Sequence, residues 1–507
     1  MQGKQPLQPS DLLRKAKAEE ILADLKNYFK DRPFIISDVR DGAGHQYADL
    51  VQEGGGVLGI ALVGYTYILE KMGIRFFSLA GTSAGSINAM LLACCGNKED
   101  EKTEKIIGHF LKLDFFAIVD GKKSNWRFTK FIKKGIQRFI GKKGFIKNVS
   151  RIAIGVLLTF VLLTIGAIIL AFIAPLVAKW MGFAAGLILL TIILTFLFFK
   201  TKFKQFAADG YGLNEGVFFH KWINTAIATN HVENEENQNA ITTLADFSKH
   251  FMRIPKLTVT PDSRRPDNDP PHMPILTIIA SEIIAERKIE FPAMWDLYWK
   301  HPEDVRPGDF VRASMSIPVF FETYTVTDTD RNSSFEIWQK HLNWQNADKK
   351  IPYKAQFIDG GVLSNFPINV FYNPNYPVPR MPTFGIRLQD GVLDSNSAAD
   401  KTFTGYLASM FNTIRFNFDR DFITKNRAYN KGVKAVDVQS HSWLNFFMED
   451  GEKIKLFEKG ARAAANFLKA FNWEEYKTER LKNFEMGVEK FDDPNNLKER
   501  PYTGEKS

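Results

Sequence analysis

Ser83 stands in Gly81-Thr82-Ser83-Ala84-Gly85, with a glycine two residues to either side. A serine hydroxyl attacks a carbonyl efficiently only when a base takes its proton and preset donors hold the oxyanion. The glycine spacing suits a sharp strand-to-helix turn that lifts an Oγ clear of the backbone. The donors have a source in Gly54, Gly55 and Gly56, three consecutive residues upstream of Ser83. Their unhindered N–H groups, at the end of a predicted strand and the start of a helix, can cradle an anion. Asp359 has the makings of the base. It ends the apolar run Lys354-Ala-Gln-Phe-Ile-Asp359 and is followed at once by Gly360 and Gly361.

Those residues need elements to hold them. Apolar strand, tight turn and helix occur twice in succession, first around Val51 to Leu69 and then from Phe76 through Ser86-Ile-Asn-Ala-Met-Leu-Leu-Ala93. The second helix reads as buried, and its N-terminus favours a developing negative charge. An aspartate at the carboxyl end of a strand points into the crevice where open α/β sheets bind ligands. The expected fold class is therefore α/β.

The chain has 507 residues, enough for about three average domains or one large α/β domain with insertions, and its 45% hydrophobic and 24% charged content excludes wholesale disorder. The two cysteines, Cys94 and Cys95, are adjacent and staple nothing, so nothing argues for an oxidising compartment. Sixty-six Lys and Arg against 57 Asp and Glu give a formal charge of +9. Much of it sits between Gly121 and Arg151, a stretch without an acidic residue in which Phe128, Phe131, Ile132, Phe139 and Ile140 recur among the cations. This reads as an amphipathic basic helix on an anionic lipid surface, with no nucleic acid implied.

Ile152 to Ala174 follows as an almost unbroken apolar run, ~34 Å long as a helix and sufficient for a ~30 Å hydrocarbon core. Met181 to Phe199 is a second, shorter run, and the Pro175 to Gly182 link between them carries Lys179 and Trp180, suited to the far interface. The pair is expected to form a transmembrane hairpin; a pair of buried core helices is the alternative. Basic residues before the first run, with Lys200, Lys202 and Lys204 after the second, put both ends in the cytoplasm. No apolar leader is read at the N-terminus. Ser10 to Phe29 has helical spacing and reads as a docking helix or a partner-binding one. Thr229 to Asn239 and Pro261 to Pro271 read as surface loops. Asp262, Asp267 and Asp269 match no calcium-loop spacing, and no metal or other cofactor is expected.

Gly54-Gly55-Gly56, Gly81-Thr-Ser-Ala-Gly85 and Asp359-Gly-Gly361, in that order, resemble the patatin-like phospholipase family in its bacterial type. Similarity extends through Gly212-Leu-Asn-Glu-Gly216, Ile278-Ile-Ala-Ser-Glu282 and Val311-Arg-Ala-Ser-Met-Ser-Ile-Pro318, and to Gly460-Ala-Arg-Ala-Ala-Ala465. The resemblance implies a three-layer α/β/α hydrolase fold, here with an inserted α-helical transmembrane hairpin, and a Ser–Asp dyad without histidine or metal. Carried over, Ser83 is the nucleophile, Asp359 the base, Gly54, Gly55 and Gly56 the oxyanion hole, and Gly81 and Gly85 the nucleophile elbow. Family members commonly place Lys or Arg two residues beyond the third glycine, where this chain has Leu58. Arg312 and the basic stretch are candidates to replace that charge, and Glu53, before the glycines, is assigned no role.

The expected organisation is an N-terminal helical segment (1–48), a first part of the hydrolase domain (49–120), the basic helix and hairpin (121–205), a second part with the catalytic aspartate (206–475) and a C-terminal tail (476–507). The expected protein is a membrane-anchored lipid acyl hydrolase of phospholipase A or lysophospholipase type. Membrane phospholipid would be both substrate and anchor, with the catalytic domain on the cytoplasmic side. Two alternatives stand beside it. Ser83, Asp359 and His441 occur in the chain order of an α/β-hydrolase triad. Leu58 also leaves room for a non-catalytic protein that binds or permeabilises lipid.

Overall fold

The computed structural model describes residues 7–120, 145–208, 210–229, 240–265, 270–345, 350–373, 376–389, 403–439, 441, 445–446 and 448–492. The chain divides into two units, one of Met1–Ile118, Val217–Ile317 and Tyr324–Ser507, the other of Val119–Gly216 with Pro318–Thr323.

The first unit is built on a mixed sheet. Its strands are β1 (Val39–Asp41), β2 (Gln46–Gln52), β3 (Ile74–Thr82), then β5 (Leu257–Val259), β6 (Leu276–Glu282), β7 (Arg287–Phe291), β9 (Tyr324–Thr327), β10 (Lys354–Asp359), β11 (Thr383–Gln389) and β12 (Val433–Asp437). β4 (Gly212–Asn214) and β8 (Val319–Phe321) pair in the second unit. The spatial order is β12-β11-β2-β3-β6-β10-β9, with β1 and β5 attached beside β2 and β7 beside β6. From β12 to β6 neighbouring strands run parallel, whereas β10 is antiparallel to both β6 and β9. Every residue of β3 is buried, as expected for a central strand covered on both faces. With its flanking helices the sheet makes the three-layer α/β/α arrangement expected from the sequence.

The N-terminal segment is two helices rather than one: α1 (Pro9–Lys15) and α2 (Ala18–Tyr28), broken at Lys17 in a left-handed conformation with φ 55°. Pro9, whose missing N–H costs nothing in a first turn, starts the first of them. The break lets Leu12, Ala16, Ile21 and Leu25 all bury. After β2 comes α3 (Gly59–Lys71), and after β3 comes α4 (Ala84–Cys94).

In the second unit, α5 (Phe145–Leu170) and α6 (Pro175–Ala208) pack against each other. Residues 175–182, expected as a link, instead form the opening turns of α6, because proline is at home at a first helical position. Among the described residues, Pro175–Phe198 is the one helical segment long and apolar enough to cross a membrane; Ile154–Leu170 is apolar but shorter. Most of the basic stretch before them, residues 121–144, lies outside the described residues.

Further on lie α7 (Pro307–Ser314), α8 (Phe403–Lys425), α9 (Asp450–Ala470) and α10 (Trp473–Asp492). The expected tail from 476 is thus helical through Asp492, since Trp473, Tyr476 and Lys477 are buried and tie it down. The Lys477 ammonium donates to Asp38 and to Asp262, whose carboxylate also accepts from Arg264. Asp262 is thereby an ion-pair anchor in the segment expected as a surface loop; residues 230–239 and 266–269, with Asp267 and Asp269, lie outside the described residues.

Candidate active site

Ser83 and Asp359 come together through strand register. β3 pairs along β6 until Thr82 stands opposite Ile279, and there the strand ends. β7 occupies the other edge of β6 from Ile278 to Glu282. β10 must therefore enter on the edge that β3 has just vacated, and it does so with Asp359 opposite Ala280. The residue after Thr82 and the last residue of β10 thus face each other across a single step of one ladder.

Ser83 occupies the turn into α4 with φ 51° and ψ −119°, a region costing a non-glycine residue roughly 1–3 kcal/mol. Its N–H donates to the Ser314 Oγ at 2.9 Å, and Ser86 Oγ donates to its carbonyl at 2.6 Å, so the strained turn is held from both sides. Gly85 is required here because a β-carbon would strike the Gln52 backbone carbonyl. Ser83 Oγ donates to Asp359 Oδ2 at 2.6 Å and lies 3.3 Å from the Met315 sulfur. The other carboxylate oxygen of Asp359 accepts the Gly361 N–H at 2.7 Å. Burial raises the Asp359 pKa, against the lowering effects of the Ser83 hydroxyl, the Arg415 charge and the Gly361 amide. A carboxylate so placed is a stronger base than one in water.

The glycine loop lies beside this pair. Gly54 N–H donates to the Asn365 carbonyl at 3.0 Å, so that amide is already engaged. Gly55 and Gly56 N–H groups carry no hydrogen bond among the described residues, and Gly56 takes φ 56°, where glycine is favoured. Leu58 is fully buried and contributes no charge. An apolar recess opens next to Ser83, lined by Gly56, Ala84, Ile87, Phe110, Phe219 and Met315 among others.

Several residues around the site carry no motif. Glu53 is buried, and burial pushes its pKa up to about 7 although Arg387, the Leu388 N–H, Arg415 and Asn365 all favour the charged form. Asn365 Nδ2 donates to Glu53 Oε1 and to the Gly54 carbonyl, each at 3.2 Å. Arg415 Nη2 donates to Asn365 Oδ1 at 2.8 Å. Asp419, one helical turn further along α8, accepts from Ser364 Oγ at 2.7 Å and from Phe366 N–H at 2.8 Å. The Arg415 charge also acts on Asp359, favouring its ionised form. Arg312 is buried with its guanidinium on Ser316 Oγ. Asn365 belongs to the segment that follows Asp359 and was open to notice; Arg415 and Asp419 stand in a helix without any sequence signal. His441 N–H donates to the Val438 carbonyl, and burial with the Lys459 charge lowers its pKa. The direct serine–aspartate bond leaves no space for an imidazole between them.

Comparison with known proteins bears on this geometry. The family described as patatin-like phospholipase matches residues 50–372. The chain is similar to the uncharacterized protein YqhO of Bacillus subtilis strain 168, with 23% identity over 428 residues that cover 84% of this chain and all of that protein. Among solved structures it is similar to VipD from Legionella pneumophila, with 13% identity and a TM-score of 0.36 over 86% of this chain and 71% of that one. The family match spans well over half the chain and includes the glycine loop, the serine elbow and Asp359. The chain belongs to the patatin-like phospholipase family and is a lipid acyl hydrolase.

Proposed function

We propose that Ser83 and Asp359 form the reacting pair of a membrane-anchored phospholipase A or lysophospholipase that works without histidine. The observation that carries this reading is the 2.6 Å bond from Ser83 Oγ to a buried carboxylate, made from a strained strand-to-helix turn. Asp359 takes the hydroxyl proton as Oγ adds to the ester carbonyl. The Gly55 and Gly56 amides receive the tetrahedral oxyanion at the N-terminal end of α3, where the helix dipole adds to the stabilisation. Asp359 then passes its proton to the leaving alkoxide, and water hydrolyses the acyl-enzyme. The lining of the recess beside Ser83 is apolar, as contact with the first carbons of an acyl chain requires.

Anchoring is supported by composition. The segment Pro175–Phe198 has a mean hydropathy of 2.5 and is 6% buried, so its apolar surface lacks a protein cover in the described chain. With α5 it would form a membrane hairpin, and the flanking lysines and arginines would keep both ends, and the hydrolase domain, on the cytoplasmic side. The membrane's own phospholipids are then the nearest substrate. Lipid mass spectrometry of cells expressing the wild type or Ser83→Ala tests the reading. Loss of specific phospholipids with gain of their lyso forms or free fatty acids is expected with the active protein only. Identical lipid profiles in the two, with equal expression, would sink it.

A further inference from the structure

Beside Ser83 and Asp359, Asn365 is held on several sides at once. Its Oδ1 lies so close to Gly54 and to Gly361 that a β-carbon on either would meet it at 2.6 and 2.5 Å. Its backbone carbonyl accepts from Gly54 N–H, and its Nδ2 donates to the Gly54 carbonyl and to Glu53. One asparagine thus pins the glycine loop to the loop that follows Asp359. An amide can do this in only one of its two orientations, with Oδ1 away from Glu53. Arg415 enforces that orientation, because a guanidinium can only donate and Oδ1 is what it meets at 2.8 Å. Four residues on, Asp419 accepts from Ser364 and from Phe366 on either side of the same asparagine. Spacing of four puts Arg415 and Asp419 on one face of α8, so a single helix grips this loop by a cation and an anion. That helix, Phe403–Lys425, lies outside the residues that match the family.

We infer that Arg415 is a positioning residue of the hydrolase: it locks the Asn365 amide, and through it the spacing of the glycine loop from Asp359, and its positive charge acts on the reacting carboxylate. The inference rests on Ser83 and Asp359 being the reacting pair. Other charged groups facing this network are Glu53, with Arg387 3.9 Å from its carboxylate, and Asp419, which feels Lys288 on β7. At Asp359 it is the Arg415 charge that favours the ionised carboxylate, against the effect of burial.

The test uses the full-length protein in detergent or vesicles and a soluble short-chain ester, and compares wild type, Arg415→Gln, Arg415→Lys and Ser83→Ala over a range of pH. Loss of activity in Ser83→Ala establishes the reacting serine independently; activity surviving there rejects the dyad and, with it, the inference. With that control in place, Arg415→Gln is expected to lower kcat/KM by roughly 10- to 100-fold, since small misplacements of reacting groups cost that much. It is also expected to move the acid limb of the pH profile to higher pH, because removing a cation lets the Asp359 pKa rise further. Arg415→Lys should return the limb toward its wild-type position while recovering only part of the rate, since an ammonium keeps the charge but loses the planar fork. A purely structural role would lower folded protein or Tm alike in both variants and leave the limb unmoved. An unmoved limb in folded Arg415→Gln, or equal loss in the two variants, overturns the inference.

Discussion

Thr82 and Asp359 stand opposite consecutive residues, Ile279 and Ala280, on one edge of β6. A parallel strand ends there and an antiparallel one arrives, and the serine after the first meets the aspartate closing the second. Neither side chain has to reach, so the hydroxyl and carboxylate are held by backbone pairing rather than by a flexible loop.

The contact predicts a two-residue chemistry. Ser83→Ala and Asp359→Asn are each expected to lower ester hydrolysis by at least ~10³-fold with the fold retained. His441→Ala should stay within about 2-fold of wild type, because the Ser83–Asp359 bond is direct. Steady-state assays with circular dichroism as a fold control check this. A large loss in folded His441→Ala would restore the triad alternative.

Asp359 also predicts a trade between stability and activity. Its pKa is raised in the folded protein, chiefly by burial. Such a carboxyl contributes stability when protonated, fully so below its unfolded pKa, and the contribution is lost as pH rises through the folded pKa. Asp359→Asn does not ionise and escapes that loss. Its Tm relative to wild type should therefore climb as pH is raised from about 4 to 8, reaching an excess on the order of 2 °C or more. Thermal melts across that range decide it; a variant that falls increasingly below wild type with rising pH contradicts the sign.

Close packing at the elbow makes a third prediction. Gly85→Ala sets a β-carbon against the Gln52 backbone, whereas at Gly42 nothing lies within 4 Å. The first substitution should cost about 1–3 kcal/mol or more, because backbone yields poorly. Gly42→Ala should be near neutral, and denaturant titration of the two distinguishes them.

The insertion yields a fourth. Replacing residues 145–208 by a short polar linker should release the protein from membranes while hydrolysis of a soluble short-chain ester stays within about 3-fold, and attack on bilayer phospholipid should fall at least ~10-fold. Neutralising Lys133, Lys134, Lys142 and Lys143 should weaken association with anionic vesicles alone, by about 1 kcal/mol for each lysine at the surface. Membrane fractionation and vesicle sedimentation are the measurements. Retention in the membrane fraction after the replacement would mean that α5 and α6 are not the anchor.

The parts of this site that lie within a few residues of each other were legible in the sequence. Gly81, Ser83 and Gly85 specify a turn by steric rules alone, three glycines declare a loop of free amides, and Asp359 before Gly360 and Gly361 marks a strand end. The strand-turn-helix order around them implied the α/β sheet, and the apolar runs after Arg151 were visible as composition. Helix ends were not: Lys17 breaks the N-terminal helix and Pro175 opens α6 for reasons of packing and first-turn geometry. Only the tertiary structure decided which strands share the edge of β6, and hence that Ser83 meets Asp359 rather than His441. It also decided that the Gly54 amide is taken by Asn365, that Glu53 is buried, and that Arg415 and Asp419 reach back from α8. Long-range pairing of this kind leaves no local periodicity, because a buried cation or carboxylate is recruited by the field and the unfilled hydrogen bonds of elements far away in the chain.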